Sequence, residues 1–264
     1  MCIRDSEDLV YMLDNRLAPA TEKQYRATFS HWEEECQKRG RLSIPADPLD
    51  VANFLATKAR EQQSVASIMT IAAAIAHNYT KRFLPSPTEH KTVRLLLESV
   101  KKIFTKEATP KKIFTAELLD RARTRTAAAG QLWRWRTMWS MYASFYAMLQ
   151  WDESSSIQTG DIQFSQWGMQ LKIRRSKTDQ AGEGAVVAVK RLKEDGRCPV
   201  KFTEQYIQKL QYDPTNSSAW MQPRIQNTKT GERGLPEYRL GYSNALSDLK
   251  RLLSEIGEDS SLKR

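Results

Sequence analysis

The chain has 264 residues, 40% of them hydrophobic and 27% charged, with a formal net charge of +10 and a pI near 9.5. That length suits one large domain or two ordinary ones, and the apolar fraction is too high for a disordered chain, while no run of eighteen apolar residues marks a membrane span. Cys2, Cys36 and Cys198 are scattered, without a CxxC or a histidine at metal spacing; neither a disulfide framework nor a zinc site is expected, and no cofactor is implied.

In chain order, the opening "MCIRDS" resembles the translation of an adapter used in sequencing libraries, so residues 1–6 are set apart from the fold. Met1 to Asp14 has no apolar leader core, and reduced thiols fit a cytoplasmic (prokaryotic) or nuclear (eukaryotic) protein that is not secreted. Four helices are then predicted. The first opens at Pro19 and Thr21, closes at Gly40 and carries Tyr25, Phe29 and Trp32 on one face. In the second, Asp47 is the N-cap and Pro48 the first helical residue. The third, "SVASIMTIAAAIAHNYTKRF", is apolar nearly all round, which suits the centre of a bundle. Its His77 reads as a packed or surface side chain rather than a ligand. The fourth presents Val93, Leu96, Leu97, Val100 and Phe104 as one stripe. Residues 7–106 therefore read as an all-helical domain with short loops.

The basic stretch 107–114, broken by Pro110, reads as a linker. From 115 to 264 the pattern changes. "FTAELLDRARTR" starts a helix, and "WRWRTMWSMYASFYAMLQ" is a long apolar one with Met138, Met141, Tyr142, Phe145 and Leu149 on a shared face. "DIQFSQWGMQLKIRR" and "GAVVAVKR" read as two strands around a polar tip that begins with Lys177. Further helices are expected at "VKFTEQYIQKLQ" and at "YRLGYSNALSDLKRLLSEIG". The fold class is mainly α: a four-helix bundle followed by an α+β domain with a small antiparallel sheet.

Between Val100 and Thr137 stand ten cations (Lys101, Lys102, Lys106, Lys111, Lys112, Arg121, Arg123, Arg125, Arg134 and Arg136) against three carboxylates. Most of the net charge lies there, at the domain junction. Such a concentration suits duplex DNA held through its phosphates, although most charge runs are solvated faces. Trp133 and Trp135 in "LWRWR" are more often core or interdomain packing than base-stacking platforms.

The order of these parts resembles the tyrosine recombinases, and the similarity extends over nearly the whole chain. The helical bundle is similar to their SAM-like core-binding domain, and residues from about Thr115 onward to the first part of their catalytic domain. The resemblance implies cleavage of DNA through a 3′-phosphotyrosyl link, without metal or nucleotide cofactor. It also implies self-association on DNA in the complete protein. Lys177 in "RRSKTDQ" stands at the family's hairpin lysine, the general acid that protonates the departing 5′-oxygen. In "AMLQWDESSSIQTGDI", Glu153 matches the family's acidic residue, read as orienting its neighbours, Ile157 its leucine, and Asp161–Ile162 its "D-I" pair. Gln150 stands at the place of the first catalytic arginine, so bidentate guanidinium contact with phosphate is absent there. Arg174 and Arg175 are candidates for backbone contact beside the hairpin. The His-x-x-Arg box and the nucleophilic tyrosine have no match in these 264 residues. The expectation is a fragment of a DNA-recombining protein; a catalytically inactive DNA-binding module or mobile-element relic stays open, as does a helical interaction protein with incidental charge.

Overall fold

Proline at a first helical position costs no hydrogen bond, and the first helix, α1 (Pro19–Lys38), begins on one. A computed structural model describes residues 8, 11–12, 16–105, 114–174, 176, 179, 183–194, 196–229 and 231–258 of the chain. The helix opens at Pro19, as the sequence suggested; its N-cap is Ala18, with no side-chain bond, and Thr21 lies within the first turn. At the other end Gly40 takes φ +62°, and the Arg41 N–H reaches back to the Cys36 carbonyl at 2.9 Å.

Helix α2 (Pro48–Arg60) is capped by Asp47, whose Oδ1 accepts the Leu49 N–H at 2.8 Å. Helix α3 (Val65–Thr80) is capped by Ser64, and α4 (Lys91–Phe104) by His90. Helix α1 packs on α3 and α2 on α4. Their shared core holds Phe29, Trp32, Val51, Phe54, Leu55, Ile68, Ile75, Tyr79, Val93 and Val100. Phe104 falls outside it, 38% exposed at the last turn of α4, where the stripe runs off the core. His77 is packed: its Nε2 lies 2.9 Å from Glu22 Oε2 and its ring tilts against Tyr25. Burial opposes ionisation of Glu22, but Lys81 and His77 outweigh it and hold the carboxyl below its usual range.

The chain divides into two units, Met1–Thr109 and Pro110–Arg264. The second is built around α6 (Leu132–Tyr146), which follows α5 (Ala116–Ala129) and is buried on almost every side. Trp133, Trp135 and Trp139 are core residues, and Trp135 stacks on Phe202 at 4.8 Å. Phe202 belongs to α8 (Pro199–Leu210); between them the short α7 (Trp151–Ser155) leads to a three-stranded antiparallel sheet. Its strands β1 (Ile162–Phe164), β2 (Gly168–Ile173) and β3 (Ala185–Lys190) turn Leu171, Ile173 and Val189 into the core.

The long strand expected from Asp161 to Arg175 is in fact two, divided by a turn in which the Ser165 N–H bonds the Gly168 carbonyl at 2.8 Å. A Cβ at Gly168 would lie 2.2 Å from the Val189 carbonyl oxygen, so only glycine lets the turn close against β3. A second hairpin was not expected at all: β4 (Pro223–Thr228) pairs with β5 (Gly231–Arg239). Tyr238 and Arg239 therefore belong to a strand, and the last helix, α9 (Tyr242–Glu255), starts later than its sequence pattern suggested. Among the described residues no helix is long and apolar enough to cross a membrane, and no cluster of three His, Cys, Asp or Glu could hold a metal ion.

Candidate functional site

Gln150 is the N-cap of α7 and is exposed. Its backbone N–H donates to Glu153 Oε2 at 2.7 Å. Glu153 thus orients the turn that presents Gln150, satisfying one of the donors a helix start leaves open. Behind this turn, Gln222 Nε2 donates to Ser154 Oγ at 3.3 Å, and both side chains are buried. The Tyr206 hydroxyl donates to the Met221 carbonyl at 2.8 Å next to it. Burial pushes that hydroxyl well above its ordinary pKa, so it stays a neutral donor. Gln150 is therefore held by a rigid, hydrogen-bonded base, with a neutral amide facing solvent.

Asp161, the acidic half of the "D-I" pair, is buried. One of its oxygens accepts the Gln158 N–H at 2.9 Å and the other the Arg174 Nε at 3.0 Å. Arg174 is thereby aimed while remaining 48% exposed. The sequence contained this pair, but nothing in its spacing revealed that Asp161 holds Arg174. Farther along the hairpin, Asp179 accepts the Glu183 and Gly184 N–H groups at 3.0 and 2.8 Å, closing the return into β3. Lys177 and Arg175 lie outside the described residues.

The junctional cations separate into different kinds. Lys101 and Lys102 are exposed on the last turn of α4. Lys106, Lys111 and Lys112 lie outside the described residues. Arg134 and Arg136 are not surface contacts, which corrects the sequence expectation: they are 5% and 4% exposed. Arg134 makes a forked pair with Glu255, at 2.9 and 2.8 Å, and stacks over Trp133 at 4.5 Å. Arg136 donates to Asp248 and to the Pro223 carbonyl. Arg125 also reaches Glu255, at 3.0 Å, and Arg121 pairs with Glu258. Burial would raise the Glu255 carboxyl, but hydrogen bonds from Arg134 and Arg125 outweigh it and lower its pKa. Much of the arginine charge of this window is thus neutralised by carboxylates from the end of the chain.

Beside the Gln150 turn runs a groove of about 530 Å³ between α6 and α9. Phe145, Met148, Trp151, Tyr242, Leu246 and Leu249 make it mainly apolar. Met148 is 82% exposed at positive φ, and Trp151 meets Tyr242 edge-on at 5.9 Å. Such a surface suits protein packing better than a phosphate.

No protein-family model and no curated protein sequence matches the chain. Solved structures do. The XerH site-specific recombinase, bound to palindromic difH substrate in a post-cleavage complex, matches with a TM-score of 0.52 at 11% identity, over 87% of this chain and 60% of that one. XerA recombinase matches over 94% of this chain and 74% of that one, at 14% identity and a TM-score of 0.36. The Tn1549 transposon integrase in complex with circular intermediate DNA matches over 87% and 78%, at 10% identity and a TM-score of 0.47. The likeness to XerH shows a shared fold, and the mainly helical class with small antiparallel sheets agrees with it.

Proposed function

We propose, on the premise that this chain has the fold of a tyrosine recombinase, that it is a duplex-DNA-binding part of a recombinase-like protein. The fold match to XerH carries this reading. That match spans 60% of XerH, so cutting and rejoining of strands is proposed for a longer parent. Self-association on DNA and a nuclear or cytoplasmic location are further parts of the same proposal. In that parent a tyrosine oxygen would bond the scissile phosphorus as the bond to the 5′-oxygen breaks. Lys177 would give the leaving oxygen its proton. Fixed cations would meet the charge that develops on the phosphate.

One observation favours binding without cleavage. Gln150, the residue at the place of the first catalytic arginine, is exposed, uncharged and fixed by its capping turn. A glutamine amide can still donate to a phosphate oxygen, but it brings neither the charge nor the two-pronged contact of a guanidinium to the charge that develops there. The chain as it stands is thus proposed to act as a DNA-binding module.

Titration of the 264-residue chain with duplex DNA at increasing salt tests this reading. Affinity should fall log-linearly with salt. Gln150→Arg should add one phosphate contact, steepening the slope by about 0.9 and raising affinity severalfold at low salt. Affinity for duplex DNA no greater than for an unrelated acidic protein would sink the proposal; a salt-dependent wild type with an unaltered Gln150→Arg variant would sink the placement of Gln150 alone.

A further inference from the structure

We infer that Gln222 is a positioning residue for Gln150: from inside the fold it holds, through Ser154, the turn that aims the side chain at position 150. The inference rests on the proposed DNA binding and deepens it, by naming the buried group on which the Gln150 contact depends.

Helix α7 has only five residues, too few to hold its own shape, because a first helical turn fixes several residues for one hydrogen bond. Its neighbours supply the geometry. Residues 217–221 run antiparallel to 157–160 and are bonded to them through the backbone. The Met221 N–H donates to the Ile157 carbonyl at 3.0 Å, the Thr159 N–H to the Ala219 carbonyl at 2.9 Å and the Gly160 N–H to the Ser217 carbonyl at 2.8 Å. At Gly160 the chains are so close that a Cβ would lie 2.8 Å from the Ser217 carbonyl oxygen. These bonds fix the residues that follow α7. Within α7 the contact passes to a side chain: Gln222, 1% exposed, donates from Nε2 to Ser154 Oγ at 3.3 Å.

Ser154 is the junction of this relay, and it is wholly buried. Its N–H donates to the Gln150 carbonyl at 2.9 Å, and its hydroxyl to the Trp151 carbonyl at 3.2 Å. One serine thus receives Gln222 on one side and grips the first turn of α7 on the other. The inner end is anchored as well. The Gln222 amide lies 3.5 Å from Ser140 Oγ on α6, and the Leu240 N–H holds the Gln222 carbonyl at 2.8 Å. At the outer end the Gln150 N–H is bound by Glu153, so both backbone groups of Gln150 are fixed while the residue stays exposed.

An apolar side chain of similar length would fill the place of Gln222 without having to find partners, since a buried polar group left unpaired costs free energy. It could not bond to Ser154. A hydrogen bond is directional where apolar packing is not, so an amide between Ser140 and Ser154 specifies where α7 sits against α6. A contact to phosphate is directional too, and its strength depends on the side chains that support it.

The experiment is a double-mutant cycle read by fluorescence anisotropy on a mixed-sequence duplex at low salt. Gln150→Arg supplies the signal, since it should raise affinity severalfold in the wild-type background. In Gln222→Met, which keeps the length of the side chain but has no amide, the same substitution should raise affinity by less than about twofold. Near-UV circular dichroism reports the fold of each variant. If Gln222→Met alone loses it, Gln222→Met/Ser154→Ala removes both partners, leaves no orphaned donor and should show the same reduced gain. A severalfold gain in both backgrounds is what a merely structural Gln222 would give, and it overturns this inference alone. A wild type without salt-dependent duplex binding overturns the DNA reading itself. A wild type that binds, with no gain from Gln150→Arg, overturns the placement of Gln150 and this inference with it.

Discussion

Two sets of arginines in the second unit use the same side chain in opposite ways. Those of α5 and α6 turn inward or along the surface to Glu255, Asp248 and Glu258. Those of β4 and β5 carry no such partner among the described residues and face water. The first set has the greater density in sequence, yet its charge is consumed in closing the fold. The difference teaches that a cluster of cations marks a nucleic-acid surface only after its carboxylate partners have been found. Arg134 and Arg136 find theirs 121 and 112 residues away.

The largest expected break of this contrast is Glu255→Gln. It leaves Arg134 buried without its counter-charge, and removing one member of a buried pair costs about 3 kcal/mol or more. Urea unfolding monitored by tryptophan fluorescence measures it. The same pair predicts a pH dependence. The folded Glu255 pKa lies below its ordinary value of 4.5, so its contribution is complete above that value and is lost as the pH falls through the lower folded one. Acid unfolding of wild type should therefore be steeper than that of Glu255→Gln, from which this titration is absent.

Asp161→Asn is an intermediate case, because its partner Arg174 is half-exposed. A loss of about 1 kcal/mol is expected, chiefly from the turn it caps, and thermal unfolding reads it. Release of Arg174 should also weaken duplex binding by a few-fold, since the guanidinium is no longer aimed. Arg224→Gln and Arg233→Gln should do least to the fold, within about 0.5 kcal/mol, as exposed substitutions without partners do. A substantial stability loss at either position would erase the distinction between the two sets.

How much of this was legible in the sequence depended on the range of the interaction involved. The bundle was readable because its signals are local: Asp47 before Pro48, Ser64 at a helix start and apolar residues at helical spacing. The β4–β5 hairpin was hidden by its own chemistry. From Pro223 to Arg239 only Ile225, Leu235 and Tyr238 are hydrophobic, so the strands leave little apolar alternation to detect. The two residues between Thr228 and Gly231 are Lys and Thr in sequence, not the Asn-Gly or Asp-Gly that marks a tight hairpin, so turn chemistry gave little signal either. At the candidate site the frame from Gln150 to Asp161 was visible, while the grip of Asp161 on Arg174 needed the sheet to form.

The contrast is tested most directly by the salt dependence of duplex binding in two variants of equal charge change, Arg121→Gln/Arg125→Gln and Arg224→Gln/Arg233→Gln. The account predicts that the first keeps the wild-type slope, because its arginines already serve Glu258 and Glu255. The second should lose about 2 units of slope. Loss of slope in the first pair with none in the second would contradict it.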